Sequence, residues 1–105
     1  MTENRADAVF FALADPTRRE IMRCLSEESG VTATEIAGRL PVSRQAVSKH
    51  LSALEAAGLA TGERSGRERR YRLTPEPLAD AVSWMAEVGS AWDDRLRALR
   101  RTVRG

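Results

Sequence analysis

The sequence predicts a mostly α-helical fold with a small β-hairpin wing, in the order α-α-α-α-β-β-α. Three observations carry this. Apolar residues recur at helical spacing through most of the chain, but the period changes after Gly58. Residues 32–59, TATEIAGRLPVSRQAVSKHLSALEAAGL, hold two helical patterns separated by a tight break at Pro41-Val42. Helix-start signals stand at Asp15-Pro16, Thr32, Ser43 and Thr74-Pro75.

The first helix, 4–13, spaces Ala6, Val9, Phe10 and Leu13 along one face. Asp15 is a good N-cap, and Pro16 at the first helical position loses no needed donor. The second helix runs to about Glu28 and buries Ile21, Met22 and Leu25, with Gly30 expected as its stop. Thr32 and Glu35 form a capping box for a short third helix that turns Ile36 and Leu40 inward.

Ser43 caps the fourth helix, 43–57, which buries Val47, Leu51 and Leu54. Gly58 sits where a left-handed residue is needed, and Leu59 can then fold back on Leu54. Residues 59–73 read as two strands around Ser65-Gly66-Arg67-Glu68, a glycine-containing hairpin loop. The last helix, 75–102, starts at Thr74-Pro75-Glu76. It lines up Leu78, Val82, Met85, Val88, Trp92, Leu96, Leu99 and Val103.

A short positioning helix, a turn and a helix with a polar N-terminal half make a helix-turn-helix. With the hairpin, residues 1–105 are expected to form a single winged helix-turn-helix domain with an added helix at each end.

Composition sets bounds. The chain has 105 residues, 42% hydrophobic, which suits one domain with a modest core. No apolar run approaches the roughly 18 residues of a membrane span. The first residues lack a basic stretch followed by an apolar block, so no secretory signal is expected. One cysteine, Cys24, excludes an internal disulfide and suits a reducing, cytoplasmic setting. The formal charge is only +2, yet it is unevenly placed, and every basic residue except Lys49 and His50 is arginine.

Positions 44, 45, 48, 49 and 52 share one helical face. Arg44 can fork onto guanine O6 and N7, and Gln45 can pair with adenine N6 and N7. Ser43, Ser48 and Lys49 suit phosphates, helped by the positive helix N-terminus. Any surface helix needs a polar face, but this one carries no acidic residue before Glu55 and follows a helix-turn-helix break.

The wing adds Arg64, Arg67, Arg69, Arg70 and Arg72, opposed within the run only by Glu68. Charge on an edge strand also keeps it soluble, which accounts for one or two of these. Alternation places Arg69 on the side of Tyr71 and Leu73, toward the core. Arg67 beside Gly66 is the first expected wing contact with DNA, and Arg70 the next.

Catalysis is not expected. His50 has no carboxylate at helical spacing to orient it, so it reads as a packed or phosphate-touching histidine. Cys24, between Met22 and Leu25 in a helical pattern, reads as a small buried apolar residue. Paired carboxylates, a glycine-rich phosphate loop and a nucleophile with its base are all missing.

The segments ADPTRREIM, SRQAVSKHLSALEAAGL and GRERRYRL, in this order and spacing, resemble the ArsR family of bacterial winged-helix repressors. The resemblance spans about residues 4–99. It implies a cytoplasmic homodimer that regulates transcription, with helices 4–13 and 75–102 as the dimerisation elements. Phe10, Leu78, Met85, Trp92, Leu96 and Leu99 are the expected interface. Length points the same way: a helix over 75–102 would be about 40 Å long, against roughly 33 Å for the diameter of a compact domain this size.

Many members release DNA on binding a metal, through Cys-x-Cys on the third helix or His and Asp on the last. Here the third helix reads TATEIAGRL and the last helix has neither His nor Cys. No metal or cofactor is therefore expected, and the chain is more similar to the branch lacking metal-ligand motifs. The leading reading is a sequence-specific, dimeric repressor occupying an inverted-repeat operator, with double-stranded DNA and a second copy as partners, no membrane and an unassigned effector. The alternatives are a winged-helix protein-interaction module, or a metal-responsive repressor with an atypical site.

Overall fold

A computed structural model of the chain describes residues 5–104, with side chains placed through residue 103. The expected start of the first helix at position 4 lies outside the described residues. The elements are α1 (Arg5–Leu13), α2 (Pro16–Glu27), α3 (Ala33–Ala37), α4 (Arg44–Ala56), β1 (Ala60–Ser65), β2 (Glu68–Leu73) and α5 (Glu76–Arg104). The order is the one expected from sequence.

Local chemistry starts and stops these elements. The Asp15 carboxylate accepts the Thr17 N–H at 2.8 Å and the Arg18 N–H at 3.2 Å, with Pro16 opening α2. Thr32 and Glu35 close the reciprocal capping box of α3, and the Ser43 hydroxyl accepts the Ala46 N–H at 3.1 Å. Past the end of α4, Gly58 has φ 76°, its N–H donates to the Glu55 carbonyl, and that of Leu59 reaches the Leu54 carbonyl. This pair of bonds is the Schellman motif, and it drives Leu59 into the core beside Leu54.

Gly30 corrects an expectation. Helix α2 ends because Glu28 turns extended, its N–H still bonded to the Cys24 carbonyl. Gly30 lies two residues farther on, with φ 80°, and donates its N–H to the Tyr71 carbonyl at 2.9 Å. Val31 and Tyr71 then exchange backbone bonds of 3.2 and 2.8 Å. The loop before α3 is thereby paired to the wing, a link the sequence pattern did not show.

Strands β1 and β2 are antiparallel, in register from Ala60 opposite Leu73 to Ser65 opposite Glu68. That leaves Gly66-Arg67 as a two-residue turn. Only Gly66 has positive φ, 65°, as a type II′ turn requires. The Thr74 hydroxyl lies 2.7 Å from that of Thr61, joining the strand ends before α5 begins.

The core gathers Val9, Ile21, Leu25, Val31, Ile36, Val47, Leu51, Leu54, Leu59 and Tyr71. Helix α5 contributes only its first turns, through buried Ala81 and half-buried Leu78. Beyond them it projects: the Cα radius of gyration is 18.4 Å, where a compact chain of this length would have about 13 Å.

Candidate nucleic-acid interface

The N-terminal half of α4, the start of α3 and the wing surround a cleft of about 480 Å³. Arg44 and Ser48 enter it from α4, Arg67 from the hairpin turn, and Thr34 from α3. These residues are far apart in sequence. The Val31–Tyr71 pairing and the buried leucines of α4 bring them together.

Arg44 is oriented before any ligand arrives. Its Nε donates to Thr34 Oγ1 at 2.9 Å, leaving both Nη groups for another partner. A guanidinium held this way keeps its two-pronged donor face, the geometry that matches a guanine edge or a phosphate. Thr34 was not among the residues singled out from sequence; its role depends on how α3 and α4 are packed.

Ser43 uses its hydroxyl oxygen as the cap of α4. Ser48 is half-buried in the cleft wall. Gln45 and Lys49 are exposed, lie outside the lining of this cleft, and have no side-chain partner among the described residues. Together with Arg44 they cap or lie in the N-terminal half of the same helix, whose positive end favours anions.

The wing arginines divide by their partners. Arg69 bonds Glu55 at 2.9 Å, and its guanidinium carbon lies 5.7 Å from the Tyr71 ring centre. Bonding to Glu55 and the charge of that carboxylate raise the Arg69 pKa further, so its charge is permanent. This matches the core-ward side expected for it. Arg72 lies 3.8 Å from Glu63.

Arg70 donates to the Gly30 carbonyl at 2.7 Å and to Glu68 at 2.8 Å, with Glu35 at 3.7 Å. It ties β2 to the loop before α3, so its reach toward a ligand is restrained. Arg64 and Arg67 have no ion pair among the described residues. Arg64, opposite Arg69 in the register, is thus a free cation among the described residues, a part of the wing's charge run that its position in sequence alone does not single out.

The acidic side of the cleft is also defined. Backbone and side-chain bonds from Thr32 hold the Glu35 carboxyl below its ordinary range, and Arg70 and Arg39 act in the same direction. His50 is half-buried and accepts a bond from Arg18 Nε at Nδ1, 3.3 Å away, while Cys24 is buried. Among the described residues, no three His, Cys, Asp or Glu side chains stand together as metal ligands.

Of the expected interface residues, Leu78 is half-buried against the chain's own core and Phe10 packs edge-on to Trp84, with centroids 5.3 Å apart. Met85, Trp92 and Leu99 are exposed, and Leu96 is half-buried.

Comparison with known proteins places this geometry. A helix-turn-helix domain family matches residues 13–63. The transcriptional repressor SdpR of Bacillus subtilis is 34% identical over 88 residues, covering 84% of this chain and 97% of the relative. Among solved structures, an ArsR-like transcriptional regulator from Rhodococcus sp. RHA1 is 41% identical with a TM-score of 0.82, covering 95% of this chain and 91% of that one. The chain belongs to the ArsR family of winged helix-turn-helix transcriptional regulators. A further similar structure is the homodimeric winged helix-turn-helix DNA-binding domain of Mb0332 from Mycobacterium bovis, described as a possible ArsR-family regulator. It is 26% identical, has a TM-score of 0.64 and covers 90% of this chain and 83% of that one. Family membership makes this chain a transcriptional regulator with a winged helix-turn-helix fold.

Proposed function

We propose that the chain binds double-stranded DNA as a homodimer in the cytoplasm and represses transcription by occupying an inverted-repeat operator. The observation that carries this is the convergence of Arg44, Ser48 and Arg67 on one cleft, with Arg44 already oriented by Thr34. With α4 in a major groove, Arg44 and Gln45 read base edges, while Ser43, Ser48 and Lys49 hold phosphates. The wing then places Arg67 on the flanking backbone or minor groove, and Arg70 steadies the wing. The reading involves binding alone, with no catalytic step.

Dimerisation is supported by the projecting part of α5. Val82, Met85, Val88, Trp92, Leu99 and Val103 are all exposed, Trp92 by 58% and Val103 by 79%. An apolar stripe this long on a monomer marks an interface. Leu96 continues it, and Phe10 and Leu78 support its base from within the chain. The homodimeric Mycobacterium bovis relative agrees. A two-fold pair would set the recognition helices about 34–36 Å apart, matching two half-sites of an inverted repeat. No helix among the described residues is long and apolar enough to cross a membrane.

The test is fluorescence anisotropy with the chain's own promoter fragment and with random DNA, across a range of salt. Tighter binding to the promoter at every salt concentration is expected. Equal affinity for both would refute sequence-specific regulation.

A further inference from the structure

At the C-terminal end of α4, away from Arg44, a groove of about 520 Å³ lies between α1, α2 and α4. Its floor is a set of methyl groups: Ala8 and Ala12 from α1, and Ala53, Ala56 and Ala57 from α4 and its cap. Phe11 stands over this floor, 75% exposed, although Val9 and Ala12 beside it are buried. Packing inside the chain does not account for a phenyl ring in that position.

The polar wall is Arg18. Its guanidinium carbon lies 5.8 Å from the Phe11 ring centre, and its Nε donates to His50 Nδ1 at 3.3 Å. Half-buried and held from two sides, the guanidinium is fixed, and its two Nη groups have no partner among the described residues. Asp7, the acidic lining residue, is exposed and has no such anchoring.

We propose that this groove binds a small organic carboxylate with an aromatic or branched hydrocarbon body. The apolar body lies on the alanine floor against Phe11, and the carboxylate takes the free Nη donors of Arg18. A guanidinium with both Nη groups open matches a carboxylate in two parallel bonds. The volume falls within the range of about 300–1,000 Å³ typical of small-molecule sites. Charge selects the occupant: the anchored group, Arg18, is cationic, the alanines and Phe11 are apolar, and the other charged lining residue, Asp7, is exposed.

The groove also touches the recognition helix. His50 follows Lys49 on α4, so a ligand that engages Arg18 acts on the only side-chain bond joining α2 to α4 among the described residues. This second step, a change in operator affinity, rests on the DNA-binding reading above.

The experiment uses the full chain with ¹³C-labelled alanine methyls, titrated with 4-phenylbutyrate and the branched 5-methylhexanoate and with their neutral amides. Saturable shifts of the Ala8, Ala53, Ala56 and Ala57 methyls are expected with the carboxylates. The amides should bind about tenfold more weakly, the discrimination one charged hydrogen-bonded contact supplies. Arg18→Gln should abolish that difference while leaving the rest of the spectrum intact. Absence of saturable shifts with both acids, or equal binding of acids and amides, would overturn the proposal.

A second copy is the rival occupant, and Phe11→Ser tests it. An unchanged dimerisation constant in sedimentation supports the ligand site; a weakened dimer would assign the groove to the partner and overturn it. Operator affinity should change by about fivefold with saturating 4-phenylbutyrate in the wild type and not in Arg18→Gln. The methyl shifts are read on free protein, so loss of DNA binding would refute the regulator reading and leave the groove's own result standing.

Discussion

Arg44 Nε and Thr34 Oγ1 are 2.9 Å apart, so the first residue of α4 is fastened to α3. Orientation ahead of binding reduces the side-chain ordering that DNA contact would otherwise require. Arg44→Ala should cost about 1–3 kcal/mol at one base of each half-site and relax preference there. Thr34→Ala should cost less, about 0.5–1.5 kcal/mol, the worth of one ordinary hydrogen bond, and at the same base. Anisotropy titrations over single-base operator variants measure both. A Thr34→Ala profile identical to wild type at every base would show that Arg44 needs no such tether.

Arg67 and Arg70 are predicted to fail differently. Arg67 is free at the turn, so Arg67→Ala should weaken binding evenly across sequences and reduce the salt slope by about one unit. Its melting temperature should not move. Arg70 bonds Gly30 and Glu68, so Arg70→Ala should lower folding stability by about 1 kcal/mol and loosen the wing. Thermal melts run beside salt titrations separate the two.

That contrast shows what the sequence makes legible. Caps depend on residues three or four apart, so the Thr32–Glu35 box, the Asp15 and Ser43 caps and the Gly58-Leu59 ending could all be read directly. The polar face of α4 follows from the same short spacing. The wing's charge run was equally plain, but which arginines stay free depends on where Glu55, Glu63 and Glu68 come to lie. The Thr34–Arg44, Arg18–His50 and Gly30–Arg70 bonds join residues 10, 32 and 40 positions apart. Only the assembled fold brings them together, which is also why the sequence points to Gly30 as a helix stop and not as a partner for Tyr71.

Two caps make acid stability predictable. The Arg18 backbone N–H holds the Asp15 carboxyl below its ordinary value against a smaller opposing effect of desolvation, and the Thr17 N–H adds a lesser lowering. Thr32 does the same for Glu35. A carboxyl with a lower pKa folded than unfolded stabilises the fold above its unfolded pKa, and that stabilisation is lost as pH falls through the folded one. Urea unfolding of the wild type should therefore weaken on acidification below the ordinary carboxylate range, about pH 4. Asp15→Asn keeps a capping oxygen without the charge. It should lose less stability than wild type over the same interval, and an equal loss would remove Asp15 from the account.

Glycine positions test the wing's junctions. Gly58 has φ 76° and a Cβ there would also meet Pro77 Cγ at 3.4 Å. Gly58→Ala should destabilise by about 1–2 kcal/mol through left-handed backbone strain. At Gly62 a Cβ would lie 2.6 Å from Arg69 Nε and 2.8 Å from Tyr71 Cε2. The arginine can move, but the buried tyrosine ring cannot do so freely, so Gly62→Ala should disturb the Arg69–Glu55 tie and the Val31–Tyr71 pairing together. Hydrogen exchange of the Val31 and Tyr71 amides is the readout. Protection unchanged from wild type would show that the ring is not confined.

The two tryptophans of α5 separate folding from assembly. Trp84 meets Phe10 edge-on within the chain, at an interplanar angle of 71°, so Trp84→Ala should act mainly on stability of the folded protomer. Trp92 is exposed on the projecting stripe, between Val88 and Leu99, both also exposed. If α5 pairs with a second copy there, Trp92 becomes a central aromatic anchor, and Trp92→Ala should weaken the dimer by about 2 kcal/mol or more. Sedimentation over a concentration series gives the dimerisation constant, and urea unfolding gives the stability. Trp92→Ala should shift the first strongly, and Trp84→Ala the second. Operator binding should follow the dimer: Trp92→Ala must lose affinity for the full inverted repeat more than for an isolated half-site, because joining two recognition helices is what the second half-site rewards. A wild-type chain that stays monomeric at micromolar concentration would sink the dimer, and with it the inverted-repeat operator.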